Sequence, residues 1–246
     1  MIALMPTRGT VTAETLMALL NNSEDYRLRL YTENRLAVDV ARNLLAERAI
    51  ESASDPSLDG EADPVVVWID SDAFFLKGTL TLLLKELQRG AFDVVAPLTG
   101  ARVPGSSVQA LRKAGDLTSS PKPGVDCHAG EIVGVEMVST HFLMHRAFLL
   151  KRLGPQPFGS HDDVLETDDF HFCRRVREAG GALCVHTGVP VFHVDERNGA
   201  AFLPGFDPVF VRGNEIDPLS KAEPLAWEAR TYGARIDGQS KLRSGS

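Results

Sequence analysis

Cysteine is scarce in this chain: Cys127, Cys173 and Cys184 are its only three in 246 residues. Their number and irregular spacing exclude a disulfide framework or a zinc cage and favour a reducing compartment, with the cytosol as the expected location. Long hydrophobic runs are equally absent. The longest candidate, near Leu80, is interrupted by Lys85 and Glu86, short of the ~18 unbroken apolar residues of a spanning helix. No secretory leader is expected, since residues 1–5 lead straight into Pro6, Thr7, Arg8 and Gly9 with no basic segment before them. Positive charge is in deficit, 26 Lys and Arg against 33 Asp and Glu for a net −7. Nothing therefore draws the chain as a whole to nucleic acid or an anionic membrane, although a local basic groove is compatible with that balance. What is there is an ordinary globular composition, 43% hydrophobic and 24% charged. A chain of this length buries a core without cross-links.

The apolar pattern alternates between strand and helix. Residues 2–5 form a short apolar run broken at 6–9, and residues 12–20 have helical spacing. Residues 28–31 read as a second strand, and 35–50 as a helix whose stripe passes through Leu36, Val40, Ala41, Leu44 and Leu45. After a polar loop at 51–64, Val65, Val66, Val67, Trp68 and Ile69 are apolar on both faces, as at the centre of a mostly parallel sheet. A helix over 79–87 and a buried strand over 93–97 continue the alternation of a doubly wound α/β fold. Residues 99–130 have no sustained period and read as a surface excursion, either a passive loop or a lid over a site. Strands are predicted within 132–144, a short helix over 146–153, a helix ending at Ala179, and strands at 183–186 and 189–193. The domain is expected to span 1–194, with 195–246 a partly packed extension whose last residues, 238–246, are polar enough to be disordered.

The most apolar strand ends abruptly in Asp70, Ser71 and Asp72. Ligand sites in open α/β sheets lie beyond such strand ends, and alternate carboxylates there can approach one divalent cation. An ordinary strand-end turn with two solvated aspartates explains the same residues. His193 closes another apolar strand, where an imidazole would complete a mixed oxygen and nitrogen site for Mn²⁺. A hydrogen-bonded histidine at a sheet end is the plainer reading, and it applies with more force to His128, His141, His145, His161, His171 and His186. Asp168 and Asp169 open a helix, where capping accounts for one of them. With Asp162, Asp163 and Glu166 nearby there are more acids than a cap needs, and crowded carboxylates suit a general base or an acceptor-positioning group. Arg8 and Arg42 are candidate anion contacts. Cys173 and Cys184 read as core residues.

Taken in chain order over residues 2–194, these pieces resemble the nucleotide-sugar glycosyltransferases of the GT-A fold, in particular compact, family 2-like members from bacteria and their viruses. Pro6-Thr7-Arg8 sits at the first nucleotide-binding turn, with Arg8-Gly9 where many members carry an aromatic residue and an asparagine. Val40-Ala41-Arg42-Asn43 is similar to the family's alanine-arginine-asparagine helix motif, and Val67-Trp68-Ile69-Asp70-Ser71-Asp72 to its DxD strand end. Residues 134–154, with Phe142, Leu143, Met144, Arg146 and Leu153, resemble the segment that shapes the acceptor side. Asp168-Asp169-Phe170-His171-Phe172-Cys173-Arg174-Arg175, running on to Ala179-Gly180-Gly181, resembles the acidic helix start. Asp169 is the better match there, with Asp168 its neighbour. His193 falls where several metal-dependent members keep a metal-binding histidine.

The resemblance implies an α/β, Rossmann-like GT-A fold, a mostly parallel central sheet flanked by helices. It implies a hexosyltransferase that moves a sugar from a nucleotide diphosphate donor, a UDP-sugar, to an acceptor hydroxyl. Pro6, Thr7, Arg8, Arg42, Asp70 and Ser71 are then expected to bind the donor. Asp70, Asp72 and His193 are expected to hold Mn²⁺ or Mg²⁺, and Asp169 with Asp168 to position the acceptor or take its proton. The implied acceptor is a protein, a glycan or a small molecule; the acidic balance disfavours modified DNA, and no membrane partner is expected. The DxD pair and the late histidine lean towards the retaining, peptide-modifying type. A haloacid dehalogenase-like phosphatase also places Asp-x-Asp after a buried strand. That family puts it on the first strand with Thr or Val four residues after the first Asp, where this chain has Phe74 and two earlier β, α units. An inactive nucleotide-sugar-binding module would keep the same residues, and turnover separates it from the enzyme.

Overall fold

The computed structural model describes residues 1–7, 9–23, 26–54, 63–102, 107–122, 130–159, 167–195, 200–204, 209–212 and 215–216. The first half runs β1 (Ile2–Thr7), α1 (Ala13–Ser23), β2 (Arg29–Asn34), α2 (Val38–Ala53), β3 (Val65–Ile69), β4 (Ala73–Phe75), α3 (Thr79–Gln88) and β5 (Val94–Leu98). The second half runs β6 (Ala110–Leu111), β7 (Ile132–Val135), β8 (Met137–Val138), β9 (Phe142–Arg146), α4 (Ala147–Leu153), α5 (Asp168–Glu178), β10 (Leu183–Val194), β11 (Ala200–Phe202), β12 (Val209–Arg212) and β13 (Glu215–Ile216).

The central strands lie in the order β2-β1-β3-β9-β5-β10. β1 pairs in parallel with β2 and β3, and β10 in parallel with β5, while β9 is antiparallel to both its neighbours, β3 and β5. Two reversals across β9 restore the direction, so these six central strands are mostly parallel with β9 alone opposed among them, while β4, β7 and β11 add antiparallel partners to β10. The chain steps outward from β1 to β2 and back across β1 to β3. Right-handed crossovers then put α1 and α2 on opposite faces. Covered on both sides, β3 is buried at every position, which is why its apolar run does not alternate. One continuous core joins β1, β3, β5, β9 and β10 to the inner faces of α1 to α5.

Three expectations need correction. The buried face of α2 carries Ala41, Arg42, Leu45, Ala46 and Ala49, whereas Leu36, Val40 and Leu44 are exposed. Small residues let the helix approach β1 and β2 closely, and the buried arginine has acids to meet there. The two strands predicted at 183–186 and 189–193 are one, β10, with a register irregularity between His186 and Pro190. Below it β10 pairs with β5 and β7; above it, with β4 and β11. At this irregularity a Cβ on Gly188 would lie 2.7 Å from the Cα of Gly130, a close approach only glycine permits. Finally, part of the expected excursion at 99–130 is built into the core: Val108, Ala110 and Leu111 are buried and β6 pairs with β8. A two-residue strand is too short to leave a periodic signal. Cys127, Asp162, Asp163, Glu166 and residues 238–246 lie outside the described residues.

His145 is the hydrogen-bonded core histidine anticipated from its sequence context. Its Nε2 accepts from the Trp68 indole at 2.9 Å and its Nδ1 donates to the Arg146 carbonyl at 2.7 Å, which fixes one neutral tautomer. Burial pushes its pKa down to about 4 from the ordinary 6.5. Between those values the unfolded chain binds the extra proton, so the stability this group supports is full above pH 6.5 and lost as pH falls towards 4. The whole difference corresponds to about 3 kcal/mol. Denaturant midpoints measured from pH 7.5 to 4.5 are expected to fall less steeply for His145→Gln than for the wild type; parallel curves would refute this.

Candidate functional site

The carboxyl end of β3 is held in place through its backbone. Asp70 N donates to the His141 carbonyl at 2.9 Å, and the Asp72 carbonyl accepts from Val194 N at 2.9 Å. Between them the Ser71 carbonyl accepts from Thr12 N at 2.9 Å and from Thr15 Oγ1 at 3.1 Å, both at the start of α1. The ladders on either side deliver two histidines to this turn. β9 begins at Phe142 opposite Ile69, which sets His141 beside Asp70, and β10 pairs His193 with Ala73, which sets it beside Asp72.

Asp72, His141 and His193, all buried, therefore converge, each bringing one ligand atom within 4.8 Å of the others. The two imidazole rings lie 3.4 Å apart. His193 Nδ1 hydrogen-bonds the Gly100 carbonyl, which orients the ring and leaves Nε2 for a ligand. Burial, reinforced by His141, pushes His193 down to about 3 and keeps it neutral, the form that binds metals. Both ring nitrogens of His141 are buried without a hydrogen-bond partner. Its Nδ1 stands 3.5 Å from Asp70 Oδ2 and 3.7 Å from Asp72 Oδ1. Orphaned imidazole nitrogens facing a buried carboxylate fit a divalent cation held by one oxygen and two nitrogens. Arg102 forms an ion pair with Asp72 on the other side.

A second cluster lies beside the first. Arg42, 4% exposed, reaches Asp70 at 3.1 Å and Asp169 at 3.3 Å and hydrogen-bonds Asp168. Although burial disfavours its charge, the three acids raise its pKa. Burial likewise opposes ionisation of Asp70, but Arg42 holds its carboxyl below the usual range. Burial raises Asp168, helped by Asp169 and Asp70 and against the pull of Arg42. Neither Asp168 nor Asp169 is the helix cap, because Thr167 fills that place and accepts from Phe170 N. Asp169 Oδ1 instead collects three donors, Thr140 N at 3.2 Å, Thr140 Oγ1 and Arg42. Next along α2, the Asn43 side chain brackets the backbone of Phe158, whose ring lies under the Arg42 guanidinium at 5.9 Å.

Two clefts border these clusters, the first at Asp70 and Asp72 and the second at Asp169. One, of about 390 Å³, is lined by Pro6, Thr7, Leu36, Ala37, Asp70, Ser71, Asp72 and Arg102. The other, of about 450 Å³, is lined by apolar residues that include Val108, Leu111, Met137, Val138 and Phe170, with Asp169, Gln109 and several serine and threonine residues as polar groups. Thr7 Oγ1 accepts from Gly9 N at 3.0 Å and donates to the Thr10 carbonyl, which shapes the turn at the first cleft's edge. Of the residues singled out from the sequence, Pro6, Thr7, Asp70, Ser71 and Asp72 line this cleft, and Arg42 stands behind Asp70. His193 belongs to the buried histidine pair, Asp169 faces the second cleft, and Arg8 lies outside the described residues. His141, Thr140 and Arg102 escape sequence reasoning; only the register of β9 against β3 places the first two at the site.

No family model and no curated protein matches the chain. Among solved structures, A197 from STIV superposes with a TM-score of 0.61 at 14% identity, over 86% of this chain and 93% of that one. The fold is GT-A-like. S. aureus TarS aligns with a TM-score of 0.45 at 14% identity, over 76% of this chain and 35% of that chain. Among the described residues, no helix is long and apolar enough to cross a membrane.

Proposed function

We propose that this protein is a metal-dependent glycosyltransferase that moves a sugar from a nucleoside diphosphate donor, a UDP-sugar, to an acceptor hydroxyl. The observation that carries the reading is the buried Asp72, His141 and His193 group, of which Asp72 lines the first cleft, with the His141 nitrogens orphaned. Bound there, Mn²⁺ or Mg²⁺ would neutralise charge growing on the leaving diphosphate. The chain's own residues supply the rest. Pro6, Thr7 and Ser71 shape the donor cleft, and the apolar Leu36 and Ala37 give a base a surface to rest on. Arg42 fixes the spacing of Asp70, on the donor side, from Asp169, on the acceptor side. With its hydrogen bonds gathered on Oδ1, Asp169 presents Oδ2 to an acceptor hydroxyl and can accept its proton.

Asp72→Ala and His141→Ala are each expected to weaken Mn²⁺-dependent UDP binding by ~10²-fold or more, with secondary structure retained. Calorimetric titration of UDP with Mn²⁺ or chelator checks this. Undiminished UDP binding in chelator would remove the metal from the proposal, and undiminished binding in both variants would remove these residues.

A further inference from the structure

Asp72 is 3% exposed, and its carboxylate is met by a cation of the chain itself, the guanidinium of Arg102. Arg102 is half exposed and lies two residues after Gly100, whose carbonyl fixes His193, so one short stretch after β5 touches two members of the Asp72, His141 and His193 group. It is also the one cationic side chain among the described residues lining the first cleft, which otherwise shows the acids Asp70 and Asp72. A diphosphate entering that cleft meets two negative groups and a single fork of N–H donors suited to phosphate oxygens.

Resting on the glycosyltransferase reading, we propose that Arg102 is an exchanging counter-ion. It neutralises Asp72 until a divalent cation arrives, then gives up that carboxylate and binds the diphosphate of the donor. A guanidinium and a dication on one carboxylate repel each other, so the metal and Arg102 compete for Asp72. Once displaced, the half-exposed side chain is already at the rim of the cleft where phosphate oxygens would lie. Arg102 thus opposes the metal when it is alone and assists it when the nucleotide is present.

Arg102→Gln separates the two roles because its effects have opposite signs. Free Mn²⁺ measured by electron paramagnetic resonance is expected to show about tenfold tighter metal binding than wild type in the absence of nucleotide. At saturating Mn²⁺, calorimetry with UDP, GDP and ADP is expected to show about tenfold weaker nucleotide binding. Arg102→Lys, which keeps the charge and loses the fork, is expected to restore Mn²⁺ affinity towards wild type and nucleotide affinity only in part. Changes of the same sign in both affinities, or no change in either, would overturn the proposal. Should the wild type bind Mn²⁺ but none of the three nucleotides, the glycosyltransferase reading and the second role of Arg102 fall together. The competition for Asp72 is still decided by the Mn²⁺ measurement.

Discussion

Asp169→Asn is expected to cut sugar transfer by ~10²-fold or more while leaving Mn²⁺-dependent UDP binding within about twofold of wild type. The asparagine keeps Oδ1, so the contacts from Thr140 and Arg42 survive and α5 still begins at the Thr167 cap. What changes is the second atom of a side chain that lines the second cleft, an oxygen replaced by an amide nitrogen with no free lone pair for a proton. Since the change is confined to the acceptor side, single-turnover kinetics should place the whole loss in the chemical step. Transfer at the wild-type rate would show that Asp169 is a structural partner of Arg42 and nothing more.

Arg42→Met is expected to lower stability by about 3–5 kcal/mol at pH 8. Methionine fills most of the volume against Phe158, so the loss reports charge: Asp70, Asp168 and Asp169 would share a largely buried space with no cation. Without Arg42, Asp70 and Asp168 would titrate higher in the folded variant than in the unfolded chain, so the folded form would gain protons on acidification and the deficit would shrink by pH 5. Arg42→Lys is expected to rescue only part, because one ammonium cannot serve three acids from a fixed fork. Urea midpoints at the two pH values check both statements, and a deficit independent of pH would assign the loss to packing.

The chain announces its sheet more openly than its site. Five buried residues ending in Asp-Ser-Asp mark the centre of an α/β sheet because burial on both faces removes alternation, and β3 lies there. The stripe of α2 misleads because Leu36, Val40 and Leu44 satisfy helical spacing while the sheet takes the alanine and arginine face instead. Acids at a strand end and at a helix start are local signals. His141 has none: Thr140 and His141 precede an ordinary apolar strand, and their role comes from β9 running antiparallel against β3. Pairing between segments about seventy residues apart is a property of the folded sheet that no local window contains. Arg102 is invisible for a similar reason, being one arginine in a stretch rich in glycine, serine and proline.

The irregularity in β10 bears on how this protein can change its length. From His186 opposite Pro97 to Pro190 opposite Leu98, β10 advances four residues while β5 advances one. Side chains on a strand alternate between faces, so the three extra residues reverse which of them look towards the Asp72 turn. Parity, rather than mere distance, therefore decides that His193 stands opposite Ala73. Gain or loss of a single residue between His186 and Pro190 would bring Phe192 or Val194 to that position and replace an imidazole with a hydrocarbon. A change of two would keep the alternation while moving another residue into the place of His193. This short stretch is thus a point where a small change in chain length decides whether an imidazole stands beside Asp72.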